Sequence, residues 1–166
     1  MKLLLKFVIL TLLWSGFSFK VAAQSGAPVI PDFTLFRQDK TTFTEKDLAK
    51  DKLLFFVFFD VTCIHCQQAI QAVNKNYNSM NNTVIHLITL DHPNEVNAFL
   101  AKNGKNLVNK SNVMLFFDLR NEFITRFKPR KYPSIFLYSP DKKLILYDDN
   151  PEHLPKFFKE IKNRNR

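Results

Sequence analysis

Cys63 and Cys66 are the only two cysteines in this chain of 166 residues, and Ile64 and His65 are all that separates them. Thiols at this spacing lie one turn apart on the same face of a helix and can close a disulfide with each other. The pair follows a continuous apolar run, residues 53–59, and opens a stretch with helical periodicity. A cysteine at such a strand-to-helix junction has the first-turn N–H groups directed at its sulfur, which favours the thiolate. These residues predict a thiol–disulfide exchange centre, with Cys63 as the attacking thiolate and Cys66 as the resolving thiol. His65 adds a titratable cation beside Cys63, which favours the thiolate and pulls the disulfide toward the oxidising end of the scale.

The elements that must position these thiols follow from the apolar patterning. Residues 53–59 are apolar on both alternating faces, the mark of a central strand covered on both sides. A helix is expected from about 63 to 78, its buried stripe formed by Cys66, Ala69, Ile70, Val73 and Tyr77. Residues 84–90 read as a second buried strand, and Asp91-His92-Pro93 opens a helix with proline in its first turn. A short strand at 113–117, a short helix at 119–127, and strands at 134–138 and 144–147 joined by a Ser-Pro-Asp-Lys-Lys turn follow. Asn150-Pro151 starts a last helix with Leu154, Phe157, Phe158 and Ile161 as its apolar stripe. Before all of these, strands at 31–36 and 41–43 precede a capping box, Thr44 to Asp47, which opens a short helix ending near Lys50. The order predicts a three-layer α/β/α sandwich with a mixed central sheet and an N-terminal β extension.

Residues 1–23 read as a signal peptide: Lys2 and Lys6 lead an apolar stretch, and Val21-Ala22-Ala23 offers small residues before Gln24. This predicts export to the periplasm and leaves 24–166 as one domain with its own core. The alternative is an uncleaved leader that serves as an anchor. Of the 24 basic residues, 21 remain without Lys2, Lys6 and Lys20, and they outnumber the 15 acidic ones by six. A mild excess of this kind, scattered along an exported chain, argues against nucleic acid as a partner. Lys128-Pro129-Arg130-Lys131 and the tail from Lys162 to Arg166 read as solvated surface or a frayed terminus, the alternative for the first cluster being a place on the site's face just ahead of Pro133. Eighteen phenylalanines against three glycines imply a core of aromatic rings and turns built from Asn, Asp and Pro.

Three segments in order carry a family likeness. Pro31-Asp32-Phe33-Thr34-Leu35 with Thr44 to Leu48, the run from Phe58 to Cys66, and Tyr132-Pro133-Ser134 before a strand resemble the thioredoxin superfamily, in particular its exported TlpA-like and redoxin branch. The likeness covers nearly all of residues 28–162. It implies a thioredoxin-like fold, a cis Tyr132–Pro133 bond, and a Tyr132 backbone that pairs with an extended substrate segment beside Cys63, with Ile64 touching the substrate. The expected partners are exported proteins with thiols or disulfides and an upstream redox partner; no cofactor is expected, and nothing in the sequence demands more than a monomer. Two departures stand out. Thr62 occupies the place of the familiar tryptophan before the first cysteine, and Val57 that of the usual buried acid. Asp60 is the nearest carboxylate left to move a proton at Cys66, or it merely ends the strand in a turn. The TlpA-like body favours the reductase direction, against the pull of His65.

Other readings compete. A structural disulfide is a poor staple, since a loop of about four residues gives only about 2 kcal/mol. A copper- or zinc-binding chaperone would use both thiols and His65, but there is no second C-x-x-C, and His86, His92 and His153 read as polar residues at element ends. A peroxiredoxin shares the redoxin body, yet its P-x-x-x-T-x-x-C loop would need Pro and Thr where this chain has Phe56 and Asp60. A non-enzymatic binding module with a vestigial Cys pair is the last alternative.

Overall fold

The computed structural model describes residues 26–164; the signal peptide expected at 1–23 lies outside them. Seven strands form one mixed sheet in the order β2-β1-β5-β4-β3-β6-β7. They are β1 (Thr34–Phe36), β2 (Thr42–Thr44), β3 (Leu53–Phe58), β4 (Thr83–Thr89), β5 (Val113–Phe117), β6 (Ser134–Tyr138) and β7 (Leu144–Asp148). The helices are α1 (Ile64–Asn76), α2 (Pro93–Asn103), α3 (Glu122–Phe127) and α4 (Leu154–Arg164).

β3 is the central strand because all six of its residues are buried, which only a strand covered on both faces allows. It runs parallel to β4, Val57 opposite Leu87, and antiparallel to β6, Val57 opposite Ile135. Its alternate side chains feed two cores. Phe55, Val57 and Phe59 point to the layer of α1, α2 and α4, where Cys66, Val73, Val96 and Phe157 pack. Leu54, Phe56 and Phe58 point to the opposite layer, with α3 and the N-terminal segment. This is the three-layer arrangement with an N-terminal β extension. Two parallel crossovers of one hand, β3-α1-β4 and β4-α2-β5, put α1 and α2 on the same face.

The second core is almost wholly aromatic. Phe123 and Phe127 stack at 4.2 Å between ring centres, and Phe43 and Phe116 at 4.3 Å. His86 lies among them, fully buried and stacked 4.4 Å from Phe56, and neither ring nitrogen makes a hydrogen bond. It is therefore an interior residue of β4, not the strand-end residue that the sequence suggests. Burial drives its pKa down to about 3; backbone groups of Phe55 and Val84 pull the other way but fall short of hydrogen-bond geometry.

Two boundaries differ from the sequence reading. The capping box forms as expected, Thr44 N–H donating to Asp47 Oδ2 at 2.8 Å, but it opens a single 3₁₀ turn, Glu45–Asp47, since Leu48 turns extended at ψ 141. The helix expected at 119–127 starts at Glu122. Asn121 stands at φ +57, which breaks the helix before it, and Leu119 is left 61% exposed. No helix among the described residues is long and apolar enough to cross a membrane.

Candidate active site

The site sits where β3 ends. Asp60, Val61 and Thr62 form a turn, and Cys63 is the N-cap of α1 with extended backbone, φ −79 and ψ 119. Its side chain makes no capping hydrogen bond, and the first turn of α1 holds no acid. The sulfur thus lies at a helix end whose dipole favours negative charge. Cys63 is half-buried, Cys66 is completely buried, and both are free thiols. The helical stripe sends Cys66 inward with Ala69, Ile70 and Val73.

Cys66 is held as a thiol. Burial pushes its pKa far above the ordinary range, the Asp60 N–H at 3.5 Å from its sulfur pulls the other way, and contact with Cys63 together with the Asp60 charge adds to the rise. Asp60 also fixes the turn, its Oδ1 accepting from Thr62 N–H at 2.7 Å and from Thr62 Oγ1 at 2.6 Å. Asp60 thus forms the turn before Cys63, and its backbone N–H lies against the Cys66 sulfur.

Across from Cys63 stands the loop before β6. The Tyr132–Pro133 peptide is cis, and the Cys63 sulfur lies 3.9 Å from the Tyr132 carbonyl oxygen. The Tyr132 ring packs on Phe58 at 4.7 Å. Burial raises its hydroxyl pKa to about 12, helped by the charges of Asp60 and Asp91. Ile64 is 59% exposed next to Cys63. His65 is exposed, with Nδ1 3.3 Å from Gln68 Oε1. It borders a groove of about 270 Å³ with Lys131, Tyr132 and residues 149–152. Cys63, Cys66, Tyr132 and Pro133 thus converge, His65 and Ile64 flank them, and Asp60 lies beneath.

Sequence reasoning missed the residues that reach this site from distant strands. Asp91, which the sequence offers only as a helix start, accepts from Val61 N–H at 2.9 Å and Thr89 Oγ1 at 2.7 Å, pinning the turn before Cys63 to the end of β4. Asp149 pairs with Arg130 at 2.7 Å and with Lys131 at 3.6 Å. The basic stretch 128–131 is thus partly paired and part of the site's frame. Nothing local in the sequence marks either acid. Among the described residues, no group of three or more His, Cys, Asp or Glu is arranged to hold a metal ion.

A cysteine pair at the head of a helix, facing a cis-proline loop on a mixed sheet, defines the class of thioredoxin-like oxidoreductases. The chain belongs to the AhpC/TSA family, whose model matches residues 27–147. No curated protein matches the sequence. Solved structures show the same fold at low identity. The thioredoxin domain of a thiol-disulfide oxidoreductase from Bacteroides vulgatus is 16% identical, with a TM-score of 0.63 over 80% of this chain and 94% of that one. DsbF of MTB, in mixed oxidised and reduced forms, is 16% identical with a TM-score of 0.63 over 78% and 94% of the two chains. A thiol-disulfide oxidoreductase from Bacteroides fragilis is 20% identical with a TM-score of 0.59 over 80% and 98%.

Proposed function

We propose that this protein is an exported thiol–disulfide oxidoreductase that exchanges disulfides with protein substrates through Cys63 and Cys66, working as a reductase. The observation that carries the reading is the division of labour within the pair: a half-buried Cys63 3.9 Å from the Tyr132 carbonyl, with a fully buried Cys66 one turn behind it. In the reducing direction the Cys63 thiolate attacks a substrate disulfide, forming a mixed disulfide and releasing one substrate thiolate, which takes up a proton. Cys66 then loses its proton and attacks the Cys63 sulfur. The second substrate thiolate leaves, and the Cys63–Cys66 disulfide remains for an upstream dithiol to reduce. Pro133 and the Tyr132 backbone seat an extended substrate segment, Ile64 offers it an apolar contact, and His65 borders the groove on the Cys63 side.

The family match raises peroxide reduction as a rival. Phe56, completely buried, and Asp60, committed to Thr62, stand where a peroxidatic loop needs Pro and Thr, which favours exchange. A metal chaperone would need more than the two thiols, and among the described residues no group of three or more His, Cys, Asp or Glu is arranged to hold an ion. Export through a leader at 1–23, with periplasmic action on exported partners, belongs to the same proposal. The reduction potential of residues 24–166, equilibrated in glutathione buffers and read by thiol alkylation, tests the direction. A value near or below about −270 mV supports a reductase, and one near about −120 mV makes the protein a disulfide donor. Cys63 and Cys66 that do not equilibrate with glutathione would end the reading.

A further inference from the structure

We propose that Tyr147, on strand β7, is a positioning residue for the Tyr132–Pro133 loop, and that its hydroxyl sets how well a protein substrate docks beside Cys63. The inference rests on the exchange reading above. Its phenol oxygen accepts from Arg130 N–H at 3.0 Å and lies 3.1 Å from Ser134 Oγ. Ser134 Oγ has a single proton, which it donates to the Lys131 carbonyl at 2.7 Å. The Tyr147 proton therefore goes to Ser134. One phenol thus grips the chain two residues before and two residues after Tyr132, the residue whose carbonyl faces the Cys63 sulfur.

The grip has a second point. The Arg130 guanidinium lies over the Tyr147 ring, 5.3 Å from its centre, and its Nε pairs with Asp149 at 2.7 Å. The Asp149 side chain is 11% exposed and that of Arg130 55%, so the carboxylate is held in the fold while the guanidinium reaches it from the surface. Asp149 also walls the groove that holds His65 and Tyr132. The ring itself cannot shift easily. It packs on Phe136 at 4.7 Å, and a Cβ on Gly26, which stands at φ +99, would come within 3.2 Å of it. The chain of contacts runs from the second core, through Tyr147, to the backbone that receives substrate. It bypasses both thiols, so it should act on docking and leave sulfur chemistry alone.

Tyr147→Phe removes the hydroxyl and keeps the ring. The experiment compares reduction of insulin, a protein disulfide that must pair with the loop, with reduction of dithiobis(nitrobenzoate), a small disulfide that needs no strand pairing. The reduction potential and melting temperature are measured alongside. The expected result is a fall of about tenfold in the insulin rate, since two hydrogen bonds to the loop are lost, with the small-disulfide rate and the potential unchanged. Asp149→Asn, which removes the charge facing Arg130 but leaves an acceptor for its Nε, should show the same split to a smaller degree. Unchanged insulin rates, or insulin and small-disulfide rates that fall together, would overturn the proposal. If neither the wild type nor the variants reduce insulin while all reduce the small disulfide, the loop seats no protein disulfide and the proposal fails while the thiol chemistry stands. A wild type inert toward both removes the exchange reading itself.

Discussion

The two cysteines differ in burial more than in position, and that difference predicts how each substitution behaves. In Cys66→Ser the attacking thiol is intact and the resolving one is gone, so mixed disulfides with substrates should accumulate and be recoverable on non-reducing gels. Cys63→Ser should give none. Recovery of equal amounts from both variants would reverse the assigned roles. Asp60 permits a finer test. Its charge is among the causes that raise the Cys66 thiol pKa, so Asp60→Asn, which keeps an acceptor for Thr62, should shift the alkylation of Cys66 toward lower pH. An unmoved profile would reduce Asp60 to a turn former. The thiols were legible in the sequence because they are the chain's only cysteines and their helical register is local. Tyr147, Asp91 and Asp149 were not, because each acts across strands that only the folded sheet brings together.

At the scale of elements, apolar runs mark the strands, and 113–117 and 134–138 are β5 and β6 in the structure. Hydrophobic runs report burial, and burial is what a central strand requires. The start of α3 failed for a complementary reason. Periodicity from Leu119 to Phe127 reads as helix, but the cap comes from Asp118, whose carboxylate accepts from Glu122 N–H at 2.8 Å and Phe123 N–H at 2.9 Å. Asn121 turns left-handed to make that possible. Asp118→Ala should cost about 1–2 kcal/mol in urea unfolding, with the loss concentrated in α3 and seen as faster amide exchange at Glu122 and Phe123. Unchanged exchange there would remove Asp118 as the cap.

The whole molecule carries an acid-sensitive core. His86 has a folded pKa near 3 against an unfolded value near 6.5. The unfolded chain therefore binds the extra proton first as pH falls, and stability drops between pH 6.5 and 3 by up to about 1.4 kcal/mol per pH unit. Above pH 6.5 this contribution is fully present. His86→Leu should flatten the acid limb of a urea-midpoint profile while leaving the thiols' potential unchanged. A wild-type profile flat from pH 7 to 4 would contradict this.

Tyr132 packs against both cores as well as facing Cys63. The chain's one tryptophan, Trp14, lies in the expected leader, so residues 24–166 contain none. A tryptophan placed at Tyr132 would then be the single emitter excited at long wavelength. Its intensity would follow the state of the sulfur beside it, and its emission maximum the packing of both layers, so that one optical signal would record the chemistry and the unfolding of the same molecule.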